Sequence, residues 1–99
     1  MIFEIAEIDV TEGQEEAFVA AVSEAAPHFK AAKGCHSLKL ARSIEMPSRF
    51  RLIVGWETVD NHMVDFRESP GFSAWRALAS PFFAAPPRVE HVAYTLEAF

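Results

Sequence analysis

The segment FRLIVGW, residues Phe50–Trp56, is the clearest strand in the sequence. Its large apolar side chains recur at every second position, and this period predicts a strand that buries one of its two faces. The buried face would carry Phe50, Leu52, Val54 and Trp56, whereas Arg51, Ile53 and Gly55 would lie on the other face. This strand therefore indicates which side of a sheet meets the core.

The residues after this strand predict two helices and a final strand. Thr58 can cap a short helix over residues 59–67. Ser69 at an N-cap and Pro70 at the first helical position begin another helix that runs to about Ala79. Residues 80–87 predict a connecting segment, and residues 88–96 predict the last strand.

The residues before this strand predict a strand, a long helix and a second strand. Residues 1–10 favour a strand, and Thr11 with Gln14 resembles a capping box that begins a helix. Pro27 should kink or split that helix near residues 23–26, and Lys33–Gly34 should end it. Residues 35–44 predict a strand, joined to Phe50–Trp56 through a hairpin loop. The order β-α-β-β-α-α-β predicts an α+β, ferredoxin-like fold with a four-stranded antiparallel sheet.

Composition limits the domain count and the classes of partner. The 99 residues are 51% hydrophobic and 23% charged, which predicts one globular domain over residues 1–99. Nine Lys and Arg against 14 Asp and Glu give a net charge of −5, which argues against nucleic acid and anionic membrane surfaces as partners. The single cysteine, Cys35, suits a reducing compartment, and the sequence predicts neither a membrane span nor a signal peptide. We therefore expect a cytoplasmic protein.

Both faces of the predicted sheet carry apolar side chains. In the first strand, Ile2, Ala6, Ile8 and Val10 lie on one side and Phe3 and Ile5 on the other; in the last strand, Val89 and Ala93 oppose Val92, Tyr94 and Leu96. Helices on one face leave the other face uncovered, and burying each large side chain stabilises by about 1.5–3 kcal/mol. We therefore expect a two-fold homodimer that joins through the sheet faces.

Residues between Trp56 and Trp75 resemble a known family. Trp56–Glu57 at a strand end, His62 on a short helix, then Phe66, Ser69–Pro70 and Phe72 are similar to the antibiotic biosynthesis monooxygenases. The resemblance implies a dimeric α+β barrel with a pocket between the helices and the sheet. It also implies one of two activities, since some relatives oxygenate aromatic or quinol-type molecules with O₂ and no cofactor, whereas others bind and cleave haem.

The haem-degrading branch is the weaker match. Its axial histidine on the second helix would fall at Arg76 or at Trp75 in this sequence, and its asparagine on the first strand has no counterpart, because Asn61 is the only asparagine. The resemblance therefore favours a site without a cofactor.

His62 and Trp56 are the candidate catalytic residues. Helical spacing places His62 on one face with Val59, Met63 and Phe66, so the imidazole could act as a base inside the pocket. The alternative is a core histidine that bonds a backbone carbonyl. Trp56 could form a pocket wall and donate its indole N–H to a substrate oxygen, or it could simply fill the core.

A group of aromatic residues and one arginine are the candidate substrate-binding residues. The aromatic residues are Phe66, Phe72, Trp75, Phe82 and Phe83, which could line an aromatic cage or pack as core. Arg76, if it turns inward, could stabilise an enolate or peroxide anion, although Arg67 and Arg76 could equally be solvated.

The remaining polar residues give weaker signals. His28, His36 and His91 share no ligand spacing with His62, so no metal site is predicted. Cys35 and His36 should point to opposite faces of a strand, and no glycine-rich loop indicates a nucleotide or flavin. The sequence leaves open whether Glu4 or Glu7 faces the pocket.

Three functions remain after these observations. The first is a cofactor-independent monooxygenase that oxidises an aromatic, polyketide-like or quinol-type molecule in a pocket of Trp56, His62, Phe66 and Trp75. The second is a binding or stress-response module that holds an apolar molecule in the same pocket without catalysis. The third is a haem-binding protein in which His62 or His91 replaces the expected ligand.

Overall fold

The computed structural model describes residues 1–99 and has the predicted order of elements. The four strands form one antiparallel sheet in the order β2-β3-β1-β4. The α+β, ferredoxin-like plan is therefore confirmed. The elements are β1 (Ile2–Asp9), α1 (Glu15–Lys30), β2 (Cys35–Arg42), β3 (Arg49–Trp56), a π-helix (Asn61–Phe66), α2 (Pro70–Ala79), a 3₁₀ turn (Ser80–Phe82) and β4 (Arg88–Val92).

The core lies between the helices and one face of the sheet. The face predicted from β3 is buried: Phe50, Leu52, Val54 and Trp56 are each at most 1% exposed. On β1, Ala6 and Ile8 lie beside them, because Ala6 pairs with Leu52 and Ile8 with Phe50. Helix α1 covers this face with Phe18 and Phe29, and Phe29 meets Trp75 of α2 edge-on at 5.4 Å. Each fully buried aromatic side chain stabilises this packing by about 1.5–3 kcal/mol.

The start and the course of α1 differ from the prediction. The capping box is wrong: the helix begins at Glu15, Gln14 occupies the cap position without a side-chain bond, and the carbonyl of Thr11 accepts the Gln14 N–H. Pro27 lies inside a continuous helix rather than splitting it, since the fully buried Ala25 and Phe29 fix the chain on both sides.

Several element ends also differ from the prediction. Helix α1 ends at Lys30, and Gly34, with φ of +76°, turns the chain into β2. Strand β2 ends at Arg42, because Ser43 N–H bonds the Arg49 carbonyl and closes the hairpin. Strand β4 ends at Val92 instead of Leu96, and Val92 pairs with Phe3, the second residue of β1.

Helix α2 is confirmed at both ends. It spans Pro70–Ala79, with Pro70 in its first turn, and the Ser69 hydroxyl accepts the Phe72 N–H at 3.3 Å. A side-chain oxygen at this position satisfies one of the free N–H groups of the first turn. The start of α2 is thus encoded locally.

The short helix before α2 has π geometry over Asn61–Phe66, which the sequence did not predict. Thr58 caps it as expected, since its hydroxyl accepts the Asn61 N–H at 3.1 Å. The Arg67 N–H reaches back five residues to the His62 carbonyl, and this wider turn changes which residues share a face. His62 and Phe66 point inward, 3% and 2% exposed, but Val59 and Met63, predicted on the same face, are 40% and 37% exposed.

The second face of the sheet has no layer over it in this chain. Phe3, Ile5 and Ile53 lie half-exposed on it, and Val92 is 40% exposed. Arg51 and Arg88 bind Glu7 on the same face. The homodimer through this face stays a prediction. No helix of the protein has the length and apolar character needed to cross a membrane.

Candidate active site

A cavity of about 110 Å³ lies between the sheet and the two helices. Its floor is formed by apolar side chains of β1 and β3, and its walls are aromatic. Two polar side chains, Glu4 and His62, face it from the buried end. The other lining residues are Ala6, Ile8, Phe29, Leu52, Phe66, Arg67, Phe72, Trp75, Arg76, Phe83, Pro87 and Val89.

Six of the seven predicted site residues line this cavity. The structure brings together His62, Phe66, Phe72, Trp75, Arg76 and Phe83. Phe82 does not line it, so the predicted aromatic cage is smaller than expected. Arg67 lines the cavity as well, and both Arg67 and Arg76 are exposed, as expected of solvated residues.

Trp56, the seventh predicted site residue, does not line the cavity. The indole is completely buried behind His62, with the two rings stacked at 5.4 Å and 17°. Its N–H donates to Glu4 Oε1 at 3.1 Å, so it has no donor left for a ligand. Trp56 therefore contacts His62 and Glu4 from behind and does not form a wall of the cavity.

Glu4 is the buried carboxyl of the site. It lies on the core face of β1, 5% exposed, in register with Val54 of β3 and His91 of β4. Burial raises its pKa from 4.5 to about 7, although the Trp56 hydrogen bond and the charge of Arg67 partly oppose this. A carboxyl that titrates near neutrality can both hold and release a proton there.

His62 connects Glu4 to a second histidine. Its Nε2 lies 3.3 Å from Glu4 Oε1, and its Nδ1 lies 2.8 Å from His91 Nε2. Burial, helped by the charges of His91 and Arg67, lowers the pKa of His62 to about 4. The two ring nitrogens of His62 face Glu4 and His91, so this histidine does not bond a backbone carbonyl, as the alternative for a core histidine predicted.

These contacts form a continuous polar chain from the surface to the cavity. His91 is half-buried, His62 and Glu4 are buried, and together they connect solvent to the cavity end. Burial raises the pKa of Glu4 and lowers that of His62, so it favours the neutral form of both groups. Glu4, rather than the neutral His62, is the group that titrates in the range where general bases work.

Glu4 and His91 were not selected from the sequence. The alternation of side chains along β1 could have indicated Glu4, because Glu4 lies on the same face of the strand as the buried Ala6 and Ile8. His91 likewise lies on the same face of β4 as Val89, which lines the cavity. Their convergence on His62 depends on the register of β4 against β1, which spans distant parts of the chain.

The other polar candidates lie elsewhere. Cys35 is half-buried, and burial raises its pKa, so its thiol is less reactive than an ordinary one. His36 is exposed and contacts Glu57 at 2.7 Å. No group of three or more His, Cys, Asp or Glu side chains is placed to hold a metal ion.

Comparison with known proteins assigns the family. The sequence model of the family described as "Antibiotic biosynthesis monooxygenase" matches residues 1–78. The chain belongs to this family. His91 lies beyond the matched residues, so the family match by itself does not account for its place in the site.

Individual relatives cover almost the whole chain. A Bordetella bronchiseptica protein, provisionally named an antibiotic biosynthesis monooxygenase, is 54% identical, with a TM-score of 0.95 over 96% of this chain and 97% of its own. The uncharacterised Bacillus subtilis protein YczJ is 35% identical over 92% of this chain and 96% of its own length. The Mycobacterium tuberculosis protein Rv0793 is 21% identical, with a TM-score of 0.79 over 99% of this chain and 98% of its own, and so shares the fold.

Proposed function

We propose that this protein is a cofactor-independent monooxygenase that oxidises a single-ring, quinol-type aromatic molecule with O₂. The observation that carries this proposal is a buried carboxyl with a pKa of about 7, in contact with a histidine pair, at the closed end of an aromatic cavity. The family and its monooxygenase-named relatives support the same class of reaction.

Glu4 is the general base in this proposal. It takes a phenolic proton from the substrate, and His62 and His91 pass that proton towards solvent. A phenol with a pKa of ~10 loses its proton to a base of pKa ~7 at a cost of about 4 kcal/mol. This cost is small beside the barrier of about 13–17 kcal/mol that a turnover of 1–10³ s⁻¹ allows.

The phenolate then supplies the electrons that O₂ needs. It adds O₂ at a ring carbon to give a peroxide, whose O–O bond breaks as a carbonyl forms and water leaves. For hydroquinone the balance is C₆H₆O₂ and O₂ giving C₆H₄O₃, a hydroxyquinone, and H₂O. One oxygen atom enters the ring, the other becomes water, and the substrate supplies every electron.

The size of the cavity selects among aromatic substrates. Its volume of about 110 Å³ is below the ~150 Å³ of a cavity that accepts one benzene ring. The cavity is therefore too small to enclose even one ring, and a single-ring molecule has to extend into the open rim. A polycyclic, polyketide-like molecule or a haem would need a much larger opening between the helices and the sheet. We therefore favour quinol-type substrates over polycyclic ones.

A second candidate function is a binding module without catalysis. It is favoured by the fact that every buried side-chain nitrogen and oxygen already has a hydrogen-bond partner within the protein. In that case the contacts of Glu4, His62 and His91 stabilise the core, and the cavity holds an apolar molecule without oxidising it.

Oxygen uptake with hydroquinone and anthrone tests the proposal. We expect ¹⁸O₂ to label one product oxygen, and Glu4→Gln to lower kcat/KM by about 10²–10⁴-fold, the usual contribution of a general base. Glu24→Gln, a change at an exposed carboxyl of α1, is the matched control and should leave kcat/KM unchanged. Uptake that is insensitive to Glu4→Gln would remove Glu4 as the base, and a complete lack of uptake would favour the binding module.

Assembly and location complete the proposal. We propose that residues 1–99 act as one domain and that two copies join through the face that carries Phe3 and Ile5. The half-exposed apolar side chains on that face support this arrangement. The single Cys35 is compatible with a cytoplasmic location.

A further inference from the structure

Two arginines at the rim of the cavity differ from every other arginine in the chain. Of the six arginines, Arg42, Arg49, Arg51 and Arg88 each have a carboxylate oxygen within 4 Å. The remaining two, Arg67 and Arg76, have none, although the chain carries 14 Asp and Glu residues and a net charge of −5. Both of these unpaired arginines line the same cavity, and no lysine lines it.

Aromatic walls of the cavity hold both guanidinium groups. The Arg67 guanidinium lies over the ring of Phe72, and that of Arg76 lies over the ring of Phe83, each 5.9 Å from the ring centre. A face-on contact of this kind leaves the N–H groups at the edge of the guanidinium free to bind another group. The charge of Arg67 also acts inside the cavity, because it opposes the rise in the pKa of Glu4 and contributes to the lowered pKa of His62.

We infer that the cavity takes an aromatic molecule that bears a carboxylate, with its ring partly inside and its carboxylate between Arg67 and Arg76 at the rim. Two planar guanidinium groups match the two oxygens of a carboxylate, and such charged hydrogen bonds are stronger than neutral ones. The inference rests on the proposed use of this cavity as the substrate site, but it does not depend on oxygenation.

The charge pattern of the cavity sets the orientation of this ligand. The buried end offers a carboxylate no cation, since Glu4 and His62 are the polar side chains there, whereas both unpaired arginines are exposed residues at the rim. The apolar walls in between favour the ring. A phenolic hydroxyl placed across the ring from the carboxylate therefore points towards Glu4, which is the group that would remove its proton.

Binding of matched single-ring probes tests the inference without any turnover. The probes are 3,4-dihydroxybenzoate, which has one hydroxyl across the ring from its carboxylate, and the neutral 3,4-dihydroxybenzamide, which has nearly the same shape. Calorimetric titration under nitrogen gives Kd for each. We expect the acid to bind about fivefold more tightly than the amide, since an exposed charge pair contributes up to ~1 kcal/mol. Added salt should weaken binding of the acid and leave the amide unaffected.

Arginine variants give the decisive comparison. Arg67→Gln and Arg76→Gln should each remove most of the preference for the acid while leaving the Kd of the amide within about twofold. The control is Arg42→Gln, because Arg42 also lies over a phenylalanine ring, Phe50, but is remote from the cavity. It should keep the full preference.

The outcomes separate this inference from the proposed function. Equal binding of acid and amide, a preference unchanged in both cavity variants, or no binding of either probe would overturn the carboxylate site. Selective binding of the acid without oxygen uptake in air would uphold the carboxylate site and overturn the monooxygenase. Oxygen uptake with hydroquinone but no preference for the acid would uphold the monooxygenase and overturn the carboxylate site.

Discussion

Replacement of Glu4 by glutamine should make the protein more stable in alkaline solution while it removes the proposed base. The carboxyl is 5% exposed, and burial raises its pKa from 4.5 to about 7. The folded state therefore binds the Glu4 proton more tightly than the unfolded state does. Its contribution to stability is complete below pH 4.5 and is lost as the pH rises through 7.

The size of this effect follows from the two pKa values. The difference between 4.5 and about 7 corresponds to about 3 kcal/mol over the whole range, since one pKa unit is worth about 1.4 kcal/mol. Between pH 5.5 and pH 9 the loss is about 2 kcal/mol, because part of it falls below pH 5.5. Glutamine keeps an oxygen for the Trp56 N–H and never ionises, so the variant escapes this loss.

Urea unfolding at pH 5.5 and pH 9, followed by tryptophan fluorescence at one protein concentration, measures the effect. The quantity of interest is the free energy of unfolding of Glu4→Gln minus that of the unmodified protein. This quantity should be about 2 kcal/mol larger at pH 9 than at pH 5.5. The pKa of His62 is lowered to about 4, so this residue makes the fold less stable as the pH falls, and it is present in both proteins. A difference that stays constant with pH, as we expect for the exposed control Glu24→Gln, would refute a buried, neutral Glu4.

Three further predictions concern the support of the site, the turn beside it and the assembly. Trp56→Phe removes the N–H that stabilises ionised Glu4, so the pH midpoint of activity should move to higher pH, and an unchanged or lower midpoint would contradict this. Gly34→Ala should destabilise by roughly 2 kcal/mol or more, because φ is +76° and the new methyl group would lie 2.2 Å from Asn61 Oδ1. Gly13→Ala, also at positive φ but with nothing within 4 Å, isolates the backbone strain, and equal losses of unfolding free energy in the two variants would rule out the clash. Light scattering should give twice 11.0 kDa for the protein and 11.0 kDa for Ile5→Lys, whereas a lone 11.0 kDa species for both would remove the sheet-face dimer.

The site was only partly predictable from the sequence, because some of its residues lie on a regular helix whereas others depend on a π-helix or on contacts between distant residues. Phe72 and Trp75 were selected as aromatic residues of the predicted second helix, and α2 is that helix, with a local cap at Ser69. The π-helix obeys another spacing, which is why Met63 was placed on the inward face with His62 but is exposed. Trp56 was identified as important, yet its role depends on Glu4, a residue 52 positions away in sequence.

The sequence alone determined the order of the elements, the inward face of β3 and the start of α2. These features depend on alternation and capping, which act between residues close together in the chain. Only the tertiary structure decided that Glu4, His62 and His91 meet and that Arg67 and Arg76 share one cavity. The reason is physical: the register of β1 against β3 and β4 sets these distances, and burial, which exists only in the folded chain, moves the pKa of Glu4 towards neutrality.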